Sequence, residues 1–289
     1  MTEVLLEPGV LARLEALQVA TRRRLAGHLA GNHRSVRHGT SLDFADYRQY
    51  HPGDDFRRID YHLLARLDVV LLKLFEAEDD LSVRLLVDTS GSMAAGGKLR
   101  QAARMAAALG FVGLVRRDAV SVHTFPARGS PPRFVGRAAA PALFDHLAGL
   151  RAGGRTDVAA AASDLLARRG PPGLTALISD LLTPEWQAAL ARLPARGGDV
   201  VVLHVLGAED LRPSLEGDVE LVDVESGRRV PVSLGADVVA GYRRAVLAWA
   251  DGVADRCHRA GLGYVRVMAD DDVESVLVGH WRDAGVLRR

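Results

Sequence analysis

The sequence is poor in the features that mark several common kinds of protein. Cys257 is the only cysteine among 289 residues, which excludes an intrachain disulfide and a cluster of thiolate metal ligands. The longest apolar stretch, Ala106–Val115, is far shorter than the roughly 20 residues that cross a bilayer. Glu3 and Glu7 stand where a signal peptide would carry positive charge. We therefore expect a soluble cytoplasmic protein without membrane insertion.

Lysine is also scarce, since Lys73 and Lys98 are the only two and arginine carries the remaining positive charge. The formal net charge is +1, which argues against a whole-protein electrostatic grip on nucleic acid or anionic lipid. The segment Arg22–His38 is locally basic, but it contains no aromatic side chain on which a base could stack. Hydrophobic residues make up 48% of the chain, which is enough for a sizeable core.

From about residue 81 onward, short apolar runs alternate with amphipathic helical patterns. Strands that are apolar throughout are typical of a parallel sheet covered by helices on both faces. The sequence therefore predicts an α/β fold, with a doubly wound and mostly parallel sheet, over residues 81–289. The predicted strands are Val83–Val87, Ala119–Phe125, Leu174–Ile178, Val200–Leu206 and Tyr264–Met268. The predicted helices are Lys98–Arg117, Leu143–Leu150, Asp157–Arg169, Glu185–Leu193, Val239–Ala260 and Val273–Ala284.

Two segments depart from this alternation. Val219–Ser233 reads VELVDVESGRRVPVS, and its Glu-Ser-Gly-Arg centre predicts a β-hairpin inserted into the α/β domain. Residues 1–80 begin with an amphipathic helical pattern from Pro8 to about Ala30 and continue as a charged extended segment. We expect this N-terminal region to pack on the main domain.

The densest charge in the chain lies in YRQYHPGDDFRRIDYHLLAR, Tyr47–Arg66. Asp54 and Asp55 are adjacent, and neighbouring side chains in extended chain point in opposite directions, so the pair is poorly placed for joint acid–base catalysis. Arg57 and Arg58 follow at once. We interpret the stretch as a charge-paired clasp that holds the N-terminal region onto the α/β domain. Whether it also presents a face to a partner stays open.

Carboxylate and hydroxyl side chains lie in three predicted loops, two of which follow predicted strands and one of which precedes a predicted helix. In doubly wound folds, ligands bind beyond the carboxyl ends of the strands. Carboxylate and hydroxyl oxygens are hard donors that suit Mg²⁺. The candidate ligands are Asp88, Ser90 and Ser92 in VDTSGSM, Thr156 in AGGRTDV and Asp180 at the end of ALISD. The structural alternative is an ordinary turn in which the hydroxyls cap the following helices.

Asp-x-Ser-x-Ser after the first strand, a Gly-Gly…Thr loop and an aspartate after a later strand resemble the metal-ion-dependent adhesion site (MIDAS) of von Willebrand factor A domains. The resemblance implies that Asp88, Ser90 and Ser92 supply the first loop's metal ligands, Thr156 the second loop's and Asp180 the third loop's. It implies Mg²⁺ as the cofactor, with Mn²⁺ or Ca²⁺ as alternatives. It also implies that the site binds proteins, because such a metal accepts a carboxylate from a partner.

One residue departs from the MIDAS pattern. Arg155 separates Gly153 and Gly154 from Thr156, where the common pattern runs Gly-Gly-Thr. Asp157 is therefore an alternative donor to Thr156.

A longer series of motifs is similar to one bacterial family. The pattern N-x-R-S-x-R-x-G at Asn32–Gly39, the Tyr47–Arg66 stretch and LFEAEDD at Leu74–Asp80 precede the metal motif. Together they resemble the "domain of unknown function 58" family, whose members often accompany MoxR-type AAA+ ATPases. The resemblance implies a metal-dependent adaptor or co-chaperone that partners such an ATPase and acts on a client protein during complex assembly or maturation.

Two functions of other classes stay open. A metal-assisted hydrolase at the Asp88 site would need an activated water and a general base. The sequence places no histidine there, because His123 and His204 lie inside predicted strands. A nucleic-acid binder would use Arg22–His38, with an affinity that falls steeply with salt and does not depend on Asp88. We expect protein interaction, with no catalytic residues and no nucleic acid as partner.

Overall fold

The computed structural model describes residues 4–19, 44–50, 54, 56, 59–67, 69–75, 82–126, 129–168, 170–171, 173–215, 217–276, 281 and 287–288. The chain divides into two compact units, one formed by residues 1–26 and 81–289 and the other by residues 27–80. The N-terminal region expected from the sequence, residues 1–80, is therefore split. Its first part belongs to the α/β unit because Leu5, Leu6 and Leu14 are buried in that unit's core.

The secondary structure alternates between strands and helices from residue 82 onward. In chain order the described strands are β1 Gln18–Val19, β2 Phe44–Gln49, β3 Leu71–Phe75, β4 Ser82–Asp88, β5 Ala119–Phe125, β6 Arg133–Val135, β7 Gly173–Ser179, β8 Gly198–Leu206, β9 Gly217–Val222, β10 Arg229–Leu234, β11 Gly263–Met268 and β12 Leu287–Arg288. The described α-helices are α1 Pro8–Leu14, α2 Tyr61–Leu67, α3 Lys98–Val115, α4 Ala140–Ala148, α5 Val158–Ala167, α6 Trp186–Arg192, α7 Ala208–Leu211, α8 Ala236–Arg259 and α9 Val273–Ser275. Short 3₁₀ segments cover Gly91–Gly97, Arg137–Ala139 and Leu193–Arg196.

The larger unit is built on a six-stranded sheet in the order β11-β8-β7-β4-β5-β6. Five of these strands are parallel, and the short edge strand β6 is antiparallel to β5. The chain starts at β4 in the middle of the sheet, adds β5 and β6 on one side, and then returns to add β7, β8 and β11 on the other. This reversal creates a switch point between β4 and β7, where ligands bind in such sheets. The predicted α/β fold with a mostly parallel sheet is confirmed.

Helices cover both faces of the sheet, which explains why its central strands are apolar throughout. Val83, Leu85 and Val87 of β4 pack into one core cluster together with the buried side of α3. Leu86 points to the opposite face and packs with residues of α5, α6 and α8. Cys257 of α8 lies in that second cluster, and burial raises the pKa of its thiol to about 12.

The inserted hairpin of the larger unit consists of the antiparallel strands β9 and β10, over the segment where the sequence predicts it. Asp223 organises the turn between them, because its carboxylate accepts hydrogen bonds from the amides of Glu225 and Ser226 and from the Ser226 hydroxyl. Gly227 has a φ of 69°, a left-handed conformation that favours glycine. The turn is therefore held by its own side chains and projects Glu225 in a defined direction.

The smaller unit contains an antiparallel pair of strands, β2 and β3, with helix α2 between them in sequence. Asp60 is buried at the start of α2, where its carboxylate accepts hydrogen bonds from the amides of His62 and Leu63. The hydroxyl of Tyr47 on β2 donates to the same carboxylate at 2.8 Å. Asp60 thus joins the helix to the strand pair inside this unit.

Several expectations for the first 80 residues have a different outcome or lie outside the described residues. The helix that the sequence predicts from Pro8 to about Ala30 ends at Leu14, because the chain turns there and β1 pairs with β12 near the C-terminus. Asp55, Arg57 and Arg58 of the predicted clasp lie outside the described residues, as do residues 22–38. The clasp and the basic segment stay predictions.

Three further differences between the predicted and the observed elements concern residues 44–75, strand β6 and the C-terminal helix. Helix α2 and the strands β2 and β3 replace much of the extended segment expected before residue 80, because side-chain and strand hydrogen bonds organise it locally. The short exposed strand β6 was not predicted, since three residues carry too weak a pattern. Of the helix predicted over Val273–Ala284, the described part is α9 and the residues at 276 and 281.

In the portion of the chain that the structure describes, no helix combines the length and apolarity needed to span a bilayer.

Candidate functional site

The five candidate ligands come from three loops at the carboxyl edge of the sheet, on either side of the switch point between β4 and β7. The loop after β4 and the loop before α5 are joined by two backbone hydrogen bonds, from the Gly91 amide to the Gly154 carbonyl at 2.9 Å and from the Gly153 amide to the Thr89 carbonyl at 2.8 Å. Gly154 has a φ of 85°, and a Cβ there would come within 2.7 Å of Pro126. Glycine at position 154 therefore allows this loop to approach Pro126, which directly follows β5.

Asp88 is fully buried at the end of β4. Its carboxylate accepts hydrogen bonds from the Ser90 amide at 2.9 Å and from the Ser179 hydroxyl at 2.5 Å. Burial, followed by the negative charge of Asp180, raises the pKa of Asp88 from 3.8 to about 6. Among the described residues, no lysine or arginine pairs with this carboxylate, so a bound cation would relieve much of the cost of its burial.

Ser90 and Ser92 place their two hydroxyl oxygens side by side, 3.0 Å apart. Ser90 is fully buried and has an extended backbone, and its side chain makes no hydrogen bond that caps the 3₁₀ segment after it. The structural alternative of a capping turn therefore does not describe this hydroxyl. The pair supplies two neutral hard donors beside the Asp88 loop.

Thr156 is buried, and both of its donors bind one carboxylate. The Thr156 amide donates to Glu225 Oε2 at 3.0 Å and its hydroxyl donates to Glu225 Oε1 at 2.5 Å. Asp157 is exposed instead, and its carboxylate caps helix α5 by accepting the Ala160 amide at 2.9 Å. Thr156 is therefore not the helix cap, and Asp157 is directed to the helix rather than taking the place of Thr156.

Asp180 is fully buried and forms an ion pair that the sequence did not predict. Lys98 Nζ lies 2.8 Å from Asp180 Oδ2 and 3.0 Å from a carboxylate oxygen of Asp210. Burial alone lowers the pKa of Lys98, but the charges of Asp180 and Asp210 raise it above its ordinary value. The sequence carried one signal for this residue, because Lys98 is one of only two lysines in a chain that otherwise uses arginine.

His204 on β8 supports the loop of Asp180 from within the core. One ring nitrogen lies 3.0 Å from the Asp180 carbonyl oxygen and the other lies 3.0 Å from the Tyr264 hydroxyl. Burial lowers the pKa of His204 to about 4, so the imidazole is neutral at neutral pH. In this state the ring donates to the carbonyl and accepts from the tyrosine. Both nitrogens are thus engaged in holding structure, and neither is available as a general base.

A cavity of about 690 Å³ opens on the Thr156 side of the site. Its lining includes the exposed Arg155 and, deeper, His123, whose ring bonds to the Ser121 hydroxyl at 3.0 Å. Burial, followed by the charges of nearby arginines, lowers the pKa of His123 to about 4. The cavity therefore borders Thr156, and its wall carries polar and cationic side chains.

The loop after β4 brings together the carboxylate of Asp88 and the hydroxyls of Ser90 and Ser92, and Thr156 lies on the loop that is hydrogen-bonded to it. In the described ranges, no three histidine, cysteine, aspartate or glutamate side chains converge as a metal cluster. The candidate set differs from such a cluster because three of its five members are hydroxyls. Sequence reasoning missed three further residues of the site, which are Lys98, Asp210 and Glu225.

Comparison with known proteins places the chain in a family. The family model described as "Protein of unknown function DUF58" matches residues 46–249. The uncharacterized proteins Rv1480 of Mycobacterium tuberculosis and Mb1516 of Mycobacterium bovis are each 29% identical to this chain over 276 residues, covering 92% of this chain and 87% of theirs.

Two solved structures are also similar to part of the chain. The conserved hypothetical protein BatB from Bacteroides thetaiotaomicron is 18% identical, with a TM-score of 0.44 and coverage of 71% of this chain and 98% of that one. An aerotolerance-related membrane protein from Bacteroides fragilis is 18% identical over the same shares, with a TM-score of 0.40. Since the family model spans well over half of its residues, this chain belongs to the DUF58 family of proteins of unknown function.

Proposed function

We propose that this protein is a metal-dependent protein-interaction module with a von Willebrand factor A-like domain, whose MIDAS-type site binds an acidic side chain of a partner. The observation that carries the proposal is the meeting of Asp88 with the Ser90 and Ser92 hydroxyls and the Thr156 loop at the switch point of the sheet. Ligand sites of this fold class lie at that place.

The donors fit a hard divalent cation. Asp88 provides a buried carboxylate, while Ser90 and Ser92 provide adjacent hydroxyls, and such oxygen donors suit Mg²⁺, with Mn²⁺ or Ca²⁺ as alternatives. We assign Asp88, Ser90 and Ser92 as the residues that would hold the ion, with Thr156 on the neighbouring loop. When bound, the ion would supply a Lewis-acidic position able to accept one further carboxylate.

The charge balance supports recognition of an acidic partner. Lys98 neutralises Asp180, so Asp88 is the one predicted ligand with an uncompensated negative charge among the described residues. A divalent cation held by one such charge keeps net positive charge. The site would therefore attract an external carboxylate rather than repel it.

The surface beside the site supports a protein as the ligand. The hairpin exposes apolar side chains that a monomeric domain has no need to display, namely Leu221, Val222, Val224 and Val230. We propose that the module is an adaptor or co-chaperone partner of a MoxR-type AAA+ ATPase that acts on a client protein. The choice of ATPase follows from the family resemblance.

The test is capture of a purified MoxR-type ATPase from the same source. We expect binding in Mg²⁺ that is lost in EDTA and in Asp88→Ala, and that is kept in the control Asp251→Ala, which changes an exposed carboxylate. Capture that ignores both EDTA and Asp88→Ala would contradict metal-dependent recognition. Mg²⁺-dependent turnover of a phosphoester that disappears in Asp88→Ala would instead indicate the hydrolase, and salt-sensitive binding of nucleic acid by both forms would indicate the basic segment.

A further inference from the structure

The hairpin places an acidic side chain at the site within the same molecule. Both carboxylate oxygens of Glu225 accept hydrogen bonds from Thr156, one from its amide at 3.0 Å and one from its hydroxyl at 2.5 Å. The two residues are 69 positions apart in the sequence. Two bonds to one residue fix the orientation of the carboxylate as well as its position.

The backbone of the hairpin turn also lies against the loop of the candidate ligands. A Cβ added at Gly91 would come within 2.9 Å of the Val224 side chain and 3.3 Å of its carbonyl oxygen. Gly91 itself lies between Ser90 and Ser92, so the turn lies over the loop that carries the two hydroxyls. The absence of a side chain at position 91 is what allows this approach.

The hairpin has little else to hold it. The described side chains of β9 and β10 are exposed or half-buried, and none belongs to either core cluster. Val224 is 64% exposed even though it touches Gly91. A two-stranded hairpin that buries so little apolar surface can open locally at low free-energy cost. Its contacts with the site through Glu225 and Val224 are therefore a substantial part of its attachment.

We infer that Glu225 is the site's own acidic ligand, held by the hairpin where the carboxylate of a partner protein would bind, so that a partner must displace the hairpin turn. The inference rests on the proposed function and names the competitor for that same site. A glutamate carboxylate is the kind of ligand that the site is proposed to accept from a partner. Because Glu225 belongs to the same molecule, its effective concentration at the site is high. Only a partner that binds tightly enough to displace it would then occupy the site.

The first test uses Mg²⁺ alone and measures hydrogen–deuterium exchange of the full chain. Mg²⁺ should slow exchange at Thr156 and in the turn 223–227 of the wild type by about fivefold or more, because the ion adds attraction for Glu225. In Glu225→Gln, which removes the charge and keeps the side-chain length, Mg²⁺ should have no such effect. Glu220→Gln is the control, since Glu220 lies on the same hairpin and pairs with Arg229.

The outcomes separate this inference from the proposed function. If calorimetry shows Mg²⁺ binding that requires Asp88 while hairpin exchange in the wild type does not respond, the inference is overturned and the proposed function stands. If Mg²⁺ does not bind at all, both are overturned. Faster exchange of the Thr156 amide in Glu225→Ala than in Glu220→Gln is expected without metal, and equal exchange would also count against the inference.

A second test measures competition directly. Glu225→Gln should bind the purified ATPase about tenfold more tightly than the wild type in Mg²⁺, because the partner no longer displaces a charged ligand, and EDTA should still abolish binding. Equal or weaker binding than the Glu220→Gln control would overturn the competition. Binding that is identical in Mg²⁺ and in EDTA for every form would overturn the proposed function instead.

Discussion

Asp88 is the last residue of β4, Asp180 directly follows the neighbouring strand β7, and both side chains are fully buried. Asp180 pairs with the ammonium group of Lys98 at 2.8 Å, whereas Asp88 accepts hydrogen bonds from a neutral amide and a neutral hydroxyl. Burial, followed by the negative charge of Asp180, raises the pKa of Asp88 to about 6, although these hydrogen bonds act in the opposite direction. Two carboxylates at one sheet edge thus have different electrostatic partners because Lys98, the first residue of α3, reaches one and not the other.

The difference between the partners of Asp88 and Asp180 indicates that a cation would be favoured beside Asp88. Hydrogen bonds from neutral groups offset less of a buried charge than an ion pair does. The buried negative charge of Asp180 is already compensated by Lys98, so Asp180 gains less from an added cation. Asp88 gains most from an added cation, and the Ser90 and Ser92 hydroxyls lie on the loop that follows it.

Removal of the positive partner should have the largest effect. Lys98→Met leaves the buried Asp180 and the partly buried Asp210 without their cation, and we expect the free energy of unfolding to fall by about 3–5 kcal/mol. Urea unfolding at pH 7 in EDTA measures the change. Arg100→Met alters an exposed cation on the same helix and should cost less than about 1 kcal/mol. An equal loss of unfolding free energy in Lys98→Met and Arg100→Met would show that the ion pair with Lys98 does not stabilise Asp180.

The unpaired carboxylate should behave in the opposite way. The folded-state pKa of Asp88, about 6, lies above its ordinary value of 3.8, so the native state binds the proton more tightly than the unfolded state. Stability in EDTA should therefore fall as the pH rises from about 4 to about 6, by roughly 3 kcal/mol from this group. Asp88→Asn removes that decline.

At pH 7 the same variant should be more stable than the wild type by about 1–2 kcal/mol, after allowance for a weakened hydrogen bond with Ser179. Asp180→Asn is the matched comparison and should be destabilising, because it leaves Lys98 without its closest carboxylate. Urea unfolding across the pH series measures both. Destabilisation of similar size in the two variants would contradict the assignment of Asp88 as the unpaired group.

Addition of a divalent cation gives a smaller effect that depends on the same residue. At a free Mg²⁺ concentration of about ten times its Kd, the wild type should gain about 1.4 kcal/mol of stability. Asp88→Asn should gain little, since it loses the charged donor, and Asp251→Asn should respond like the wild type. Thermal unfolding with and without Mg²⁺ measures the gain. The same gain in Asp88→Asn would show that the ion binds elsewhere.

Asp60 in the smaller unit provides the mildest comparison, because amides and a hydroxyl donate hydrogen bonds to its carboxylate as they do to that of Asp88. It accepts hydrogen bonds from two amides and from the Tyr47 hydroxyl. Asp60→Ala should cost about 1 kcal/mol through loss of the helix cap, with Tyr47→Phe costing less. Hydrogen–deuterium exchange of the His62 and Leu63 amides reports the change. Unaltered exchange in Asp60→Ala would exclude the capping role.

Local sequence determined much of the architecture. The apolar runs of the central strands predict a parallel sheet covered on both faces, because each strand must bury side chains in both directions. The hairpin was predictable from the turn chemistry of Asp223 to Gly227, where an aspartate binds the next amides and a glycine adopts positive φ. The spacing of Asp88, Ser90 and Ser92 likewise lies within one turn and needs no distant partner.

Only the tertiary structure decided how the charges of the site are shared. Lys98 and Asp180 are 82 positions apart, and Glu225 and Thr156 are 69 apart. No periodicity connects such pairs, because the order of the strands decides which loops meet at the sheet edge. The sequence thus determined which chemical groups are present at the strand ends. Folding decided that one aspartate is neutralised by a lysine, that another stays unpaired, and that a glutamate from the hairpin binds beside it, since these contacts exist only when distant segments are packed together.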